Sequence, residues 1–309
     1  MMAGSGFYLM NKSTLSNAIS HSKNNGRLFQ RVTLFVIWAW LIIFALLPNI
    51  LVVLASFLTR DEDKFLAMPL TVENYLRFID PLYVKVFLHS LSMAAITTLI
   101  CLLLGYPFAW LISRVSKKWQ SFLMLLLIIP FWTNSLVRLY AVKLILAANG
   151  LLSSALIGAG LINEPLQILY TQKAVIGGLV YLLFPFMVLP LYAVFTDLRD
   201  DIVLASKDLG ANKFQTFWHV ILPLTTPGII SGVLLVLLPA MGMFYVADIL
   251  GGSRNLLVGN IIKSQFLDAR DWPFGAAASV LLTLTMAILI AAYYASSKRI
   301  GKTDHNEVA

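Results

Sequence analysis

The chain has 309 residues, of which 59% are hydrophobic and only 12% charged, and its mean hydropathy is +0.81. Soluble domains carry roughly 25% charged residues, so this composition excludes soluble, disordered, collagen-like and disulfide-stapled proteins and predicts an all-α polytopic membrane protein. The net charge is +8. In a membrane protein the positions of the lysine and arginine residues indicate the orientation of the chain in the membrane and not a nucleic-acid partner.

Six intervals without charge predict membrane-spanning helices, because about 20 mainly apolar residues cross a hydrocarbon core roughly 30 Å thick. The intervals are 32–59, 86–113, 119–137, 174–196, 214–247 and 272–297. In the fifth interval, polar residues and Pro223 move the predicted start of the membrane helix to Leu224. A seventh apolar interval, 144–163, is predicted to be an interfacial helix outside the membrane, because Asn149 and Gly150 form a strong turn signal.

Lysine and arginine are concentrated in segments that would face the cytoplasm. The basic residues of the N-terminal tail and of the connection after the second span, which contain no acidic residue, are Lys12, Lys23, Arg27, Arg31, Arg114, Lys117 and Lys118. The positive-inside rule therefore predicts that both termini are cytoplasmic. The predicted organisation is a flexible cytoplasmic tail at 1–31, a transmembrane domain at 32–297 that begins with an uncleaved span, and a cytoplasmic C-terminal tail at 298–309.

The segment at 197–223, between the fourth and fifth spans, is too amphipathic for a plain tether. Ile202, Leu204, Ala205 and Leu209 fall on one face of a short helix that can end at Gly210 in a left-handed cap. Periodicity alone favours an amphipathic helix that lies on the lipid headgroups.

The spacing around Gly210 resembles the cytoplasmic signature of bacterial ABC importer permeases: Glu-Ala-Ala, three residues, Gly, nine residues, Ile, one residue, Leu-Pro. In that family this loop is the coupling helix that docks in a groove of the ATPase subunit. Leu204 stands here where the family has Glu, and Ser206 where it has the second Ala, so no salt bridge is expected at position 204. The coupling residues implied by the resemblance are Leu204, Ala205, Ser206, Asp208, Leu209, Gly210, Val220, Leu222 and Pro223.

Five further segments resemble the polyamine (spermidine/putrescine) branch of the same family: 104–110, 129–138, 184–192, 244–252 and 270–275. The resemblance begins at about residue 32 and continues to the end of the chain. It implies a type I ABC importer permease of the bacterial inner membrane that pairs with a second, similar permease. It also implies two ATP-binding subunits that use ATP and Mg, and a periplasmic substrate-binding protein. Mixed charges in the predicted outer loop 59–85 suit such a docking protein, or simply a solvated loop.

No catalytic or metal-binding motif is recognised in the chain. Gly301, Lys302 and Thr303 resemble the end of a phosphate-binding loop, but Ser296 occupies the position of its first glycine and no strand precedes it. The histidines are scattered without a partner at ligand spacing. We therefore expect a transporter subunit that binds no cofactor or metal and is not an enzyme by itself.

Asp248 is the strongest candidate for contact with a cationic substrate. It follows the fifth span directly after Phe244 and Tyr245, near a helix C-terminus that disfavours an anion by about 0.3–1 kcal/mol, so a cation is expected beside it. One interpretation is a substrate ammonium that passes between the carboxylate and the aromatic rings. The other is a structural ion pair with Arg254 or Arg138.

Pro130 in the predicted third span can kink its helix toward a cavity. The residues that follow it are therefore also candidates for the substrate pathway, namely Trp132, Asn134 and Tyr140. For Trp132, interhelical packing is the alternative. The remaining functional alternatives are a permease for another small solute, an ion-coupled secondary transporter and a noncatalytic scaffold that recruits an ATPase. The sequence has no internal repeat or acidic relay of the kind that would favour the secondary transporter.

Overall fold

A computed structural model describes residues 30–61, 66–252 and 255–306, with side chains as far as residue 293. The predicted N-terminal tail therefore lies almost wholly outside the described residues, as do Arg254 and residues 62–65 of the predicted outer loop. The described chain is helical apart from its loops and an isolated β-bridge between Thr59 and Ala67. It divides into two units, Met1–Ala55 and Ser56–Ala309.

The first candidate span, α1, covers Gln30–Ser56 and widens into a π-helical turn at Ile42–Leu46. Eleven further helices follow: α2 (Glu73–Arg77), α3 (Pro81–Arg114), α4 (Lys117–Ile128), α5 (Ser135–Leu146), α6 (Leu151–Gly158), α7 (Gln172–Asp197), α8 (Asp200–Asp208), α9 (Lys213–Gly242), α10 (Phe244–Val246), α11 (Val258–Leu267) and α12 (Trp272–Asn306).

Six stretches of the described chain are long and apolar enough to cross a membrane, which confirms the predicted number of spans. They are Gln30–Ser56, Pro81–Arg114, Ser135–Gly158, Gln172–Asp197, Lys213–Gly242 and Trp272–Tyr293. The helix of the fifth span begins earlier than Leu224, because a capping box starts it at Lys213: Asn212 Oδ1 accepts from the Gln215 amide, and Gln215 Oε1 accepts from the Asn212 amide.

The predicted third span, 119–137, is not one continuous helix. α4 ends at Ile128, a 3-10 turn covers Ile129–Trp132, and extended backbone at Thr133 separates that turn from α5. The third candidate span, Ser135–Gly158, is long and apolar enough to cross a membrane and includes part of the interval 144–163, whose interfacial position stays a prediction. The turn predicted there is present, because the Gly150 amide donates to Ala147 O at 2.8 Å and α6 begins at Leu151.

The core lies where α3, α7 and α9 pack together, and Met187 of α7 is fully buried at its centre. Glycines on the neighbouring helices permit this approach. A Cβ on Gly232 of α9 would lie 2.6 Å from Met187 Sδ, and a Cβ on Gly105 of α3 would lie 3.1 Å from Met187 Cγ. Small residues at such crossings bring helix backbones close together and maximise van der Waals contact, which is the main packing force between membrane helices.

A second buried cluster joins the loop after α1 to the start of α12. Phe78, Ile261 and Phe274 form it, with Ala278. Beside it, Arg77 Nη1 lies 2.8 Å from Asp271 Oδ2, and Arg77 Cζ lies 4.3 Å from the centroid of the Phe274 ring. In the same region Arg60 donates to Ala269 O at 3.1 Å. These contacts attach the loop between α1 and α3 to the segment that joins α11 to α12 and to the start of α12.

Candidate functional site

The loop between α7 and α9 forms the predicted short helix, α8. Asp200 and Asp201 lie in its first turn, where acidic side chains are favourable near the positive end of the helix dipole. Asp200 forms an ion pair with Arg114 at the end of α3, and Asp201 forms one with Arg199. The hydrogen bond from Arg199 lowers the pKa of Asp201 below its ordinary value. Arg114 thus attaches the loop to the second span.

The C-terminal end of α8 has the predicted left-handed cap at Gly210, whose φ is +86°. The Gly210 amide donates to Lys207 O at 2.9 Å, and the Ala211 amide donates to Ser206 O at 3.1 Å. A Cβ on Gly210 would meet no atom within 4 Å, so the backbone conformation, and not lack of space, is what favours glycine here.

The predicted apolar face of α8 is turned outward. Leu204 is 57% exposed and Leu209 is 89% exposed, whereas Ser206 is buried. Ser206 Oγ lies 3.1 Å from Thr216 Oγ1 at the start of α9, so the serine that departs from the family pattern joins the two helices. An exposed pair of leucines on a firmly held helix is suited to docking another protein.

The second half of the motif forms the base of the fifth span. Val220 lies in a π-helical turn at Phe217–Ile221, and Leu222 and Pro223 follow directly as the regular helix resumes. The turn is held by Thr225, whose hydroxyl lies 3.0 Å from the Tyr106 hydroxyl of α3. A cavity of about 630 Å³, lined mainly by Tyr106, Trp110, Val203, Lys207 and Phe217, separates α8 from the end of α3. Beside this cavity, the Arg114–Asp200 ion pair bridges the end of α3 and the start of α8.

Asp248 lies beyond the other end of the fifth span, where the helix is interrupted at Met243 and continues as α10 and a π-helical turn at Ala247–Gly251. Asp248 Oδ2 accepts a hydrogen bond from Lys263 Nζ at 2.6 Å, and Oδ1 accepts one from Asn260 Nδ2, also at 2.6 Å. Lys263 Nζ is 5.6 Å from the centroid of the Phe244 ring. The cation expected beside Asp248 is thus Lys263 of α11.

Lys263 was not among the structural partners predicted for Asp248, of which Arg254 lies outside the described residues. Arg138 instead lies over the rings of Phe131 and Tyr181, with Cζ 5.1 and 6.0 Å from their centroids. The hydrogen bond and charge of Asp248 raise the pKa of the Lys263 ammonium above its ordinary value. The available sequence signal was weak, since Lys263 is only one polar residue of a short amphipathic helix.

The other predicted pathway residues lie on α10, on the 3-10 turn after α4 and on or just before α5. Tyr245 is half-buried and its ring packs edge-on against Phe244 at 6.0 Å. Trp132 is 81% exposed and Tyr140 is 55% exposed. Asn134 Oδ1 caps α5 by accepting from the Leu136 amide at 2.8 Å. Among the described residues, no hydrogen bond or ion pair joins these side chains to Asp248.

Together, six candidate spans and a capped, outward-facing helix between the fourth and fifth of them define a polytopic transport permease. Residues 101–302 match the family model described as "Binding-protein-dependent transport system inner membrane component". The chain therefore belongs to this family and is a multi-pass inner membrane protein, which confirms the resemblance identified from the sequence motifs.

Curated relatives cover nearly the whole chain. The "Spermidine/putrescine transport system permease protein PotB" of Haemophilus influenzae is 55% identical over 89% of this chain and 96% of its own length. The protein of the same name from Escherichia coli K12 is 52% identical over 85% of this chain and 96% of its own. The "Inner membrane ABC transporter permease protein YdcU" of Escherichia coli K12 is 32% identical over 87% of this chain and 88% of its own.

A solved structure shares the fold. A chain of a bacterial alginate ABC transporter, crystallised in complex with an alginate pentasaccharide-bound periplasmic protein, superposes with a TM-score of 0.71 at 15% identity. The match covers 91% of this chain and 97% of that one. At this identity the comparison establishes the architecture of the spans and carries no information on the substrate.

Proposed function

We propose that the chain is a membrane-spanning subunit of an ATP-driven importer that takes up polyamines of the spermidine/putrescine type into the cytoplasm. The observation that carries the proposal is a sequence identity of 55% and 52% to two proteins named spermidine/putrescine transport system permease protein PotB, over 96% of the length of each. A carboxylate with an aromatic ring beside it, at Asp248 and Phe244, is consistent with a cationic substrate.

The proposed assembly contains a second, similar permease, two ATP-binding subunits and a periplasmic substrate-binding protein, with both termini of this chain in the cytoplasm. ATP and Mg are bound by the partner subunits, and this chain holds no cofactor. The exposed Leu204 and Leu209 supply the docking surface for an ATP-binding subunit. Closure of the ATP-binding subunits moves α8, and the Arg114–Asp200 pair and the Ser206–Thr216 hydrogen bond pass that movement to α3 and α9.

The proposed substrate pathway runs between the two permeases past Asp248, Tyr245 and Phe244, with Trp132, Asn134 and Tyr140 on its border. A polycation needs negative charge and ring faces along such a path, because an unpaired ammonium is costly within the depth of the membrane. Asp248 is the residue of this set that carries a negative charge.

The experiment that tests the proposed function is uptake of radiolabelled spermidine and putrescine into proteoliposomes that contain the complete transporter. We expect uptake that requires ATP, the binding protein and both permeases, and that vanadate abolishes. Binding-protein-stimulated ATP hydrolysis without uptake of either polyamine would instead favour a permease for another small solute. Uptake that follows an ion gradient in the absence of the ATP-binding subunits would identify a secondary transporter.

A further inference from the structure

The carboxylate of Asp248 is occupied by a primary ammonium that belongs to the chain itself. Lys263 Nζ lies 2.6 Å from Asp248 Oδ2 and 5.6 Å from the centroid of the Phe244 ring. A charge-assisted hydrogen bond from one side and a ring face from the other are the contacts that bind an alkylammonium ion. The position of Nζ therefore marks a cation subsite.

Asn260 holds this subsite in place independently of Lys263. Its Nδ2 donates to Asp248 Oδ1 at 2.6 Å and to Phe244 O at 3.1 Å, and its Oδ1 accepts from the Leu257 amide at 2.9 Å. The side chain is buried, with 5% of its surface exposed. Because none of these contacts involves Lys263, the Asp248 carboxylate and the backbone that carries Phe244 stay held when the lysine moves away.

The ion pair is open to exchange. The Asp248 and Lys263 side chains are 35% and 37% exposed, and pairs with this exposure are weak because water competes for both charges. Replacing one ammonium by another leaves the carboxylate paired throughout, so the exchange does not pass through an isolated charge.

The side chain of lysine is four methylene groups that end in a primary ammonium, which is also the structure of the aminobutyl end of putrescine and spermidine. We propose that Asp248, Asn260 and Phe244 form a subsite for the aminobutyl end of the substrate, and that Lys263 fills it as a tethered competitor until substrate displaces it. The inference rests on the proposed function and adds to it the residue that competes with the substrate.

The two members of a merely structural ion pair would impair the protein in the same direction when removed, whereas a competitor and its binding site have opposite effects. The measurement is equilibrium binding of radiolabelled putrescine, in nanodiscs, to the two permeases with their two ATP-binding subunits, in the absence of the periplasmic binding protein. Lys263→Met, which keeps the length and loses the charge, is expected to tighten binding roughly two- to fivefold, the range of a half-exposed ion pair. Asp248→Asn is expected to weaken binding by at least the same factor.

Two controls separate charge from general perturbation. Lys263→Arg keeps a competing cation and is expected to bind putrescine as the wild type does. Lys143 is a matched lysine, because its Nζ lies 5.7 Å from the centroid of the Tyr170 ring and it has no carboxylate partner among the described ion pairs. Lys143→Met is therefore expected to leave putrescine binding unchanged. If Asp248→Asn fails to assemble, Lys263→Met decides alone, since misfolding does not tighten binding.

Weaker or unchanged binding in Lys263→Met overturns the subsite. If the wild type imports polyamine in proteoliposomes and only this binding test fails, the proposed function stands without the competitor. If the wild type imports no polyamine, the proposed function fails and the subsite fails with it.

Discussion

Arg77 and Asp271 are 194 positions apart in the sequence and form an ion pair of 2.8 Å in which the aspartate side chain is only 2% exposed. The second carboxylate oxygen accepts from the Phe274 amide at 3.2 Å, and the guanidinium packs on the Phe274 ring. The pair thus joins the loop before the second span to the beginning of the sixth.

Removal of the arginine would leave this carboxylate buried with one backbone partner. We predict that Arg77→Met lowers the free energy of unfolding by about 1–3 kcal/mol, the cost of an unsatisfied buried polar group, and lowers the melting temperature in detergent accordingly. Lys85→Met, which removes an exposed charge from the same end of the unit, is the control and should melt as the wild type does. Equal melting temperatures for all three proteins would contradict the assigned role of the pair.

Gly210 offers a test of the cap of α8 that does not depend on side-chain bulk. At a φ of +86°, asparagine is tolerated whereas valine is strained by about 1–2 kcal/mol or more, although neither would meet a neighbour at its Cβ. We predict that Gly210→Val uncouples binding-protein-stimulated ATP hydrolysis from polyamine uptake and that Gly210→Asn retains most of both. Similar uptake by the two variants would show that the left-handed cap does not matter for coupling.

The Ser206–Thr216 hydrogen bond is predicted to matter for the stability of the loop more than for docking, because Ser206 faces inward while Leu204 and Leu209 face out. Ser206→Ala and Thr216→Val should each cost about 0.5–1.5 kcal/mol, and the double variant less than the sum. Thermal unfolding of the four proteins measures the coupling energy. Strict additivity would mean that the two hydroxyls do not interact.

The pH dependence of the Asp248–Lys263 pair follows from the raised pKa of Lys263. A group whose pKa is raised by folding stabilises the protein fully below its unfolded pKa, about 10.4 for lysine, and the stabilisation is lost as the pH rises through the folded value. We therefore predict a constant difference in melting temperature between wild type and Lys263→Met from pH 6 to pH 9, which shrinks only above about pH 10.4. A difference that changes near neutral pH would require another titrating group.

Much of this arrangement could be predicted from the sequence because it depends on short-range constraints. The thickness of the bilayer sets the length of an uncharged run, so six spans follow from the positions of the charges. Likewise, Gly210 at the end of an amphipathic segment is sufficient to predict the left-handed cap.

The rest required tertiary information. The break between α4 and α5 was not predictable from Pro130, because a proline could equally have kinked a continuous helix. Lys263 meets Asp248 only because α11 packs against the segment that carries Asp248, and no periodicity in the sequence predicts that packing. The outward direction of Leu204 and Leu209 also depends on what α8 packs against.

Adjacent glycines in α7 provide the sharpest test of how this fold supports Asp248. A Cβ on Gly178 would lie 2.4 Å from Leu250 Cδ1 and 3.2 Å from Val246 Cγ1, both close to Asp248 in the chain, whereas a Cβ on Gly177 would meet nothing within 4 Å. We predict that Gly178→Ala lowers the free energy of unfolding by about 1–3 kcal/mol through overpacking and weakens putrescine binding by moving the turn that carries Asp248. Gly177→Ala should be neutral or stabilise α7 by up to about 1 kcal/mol, since alanine is the better helix former. Thermal unfolding and putrescine binding of the two variants measure both effects, and a Gly178→Ala protein that behaves like Gly177→Ala would show that α7 does not position the Asp248 turn.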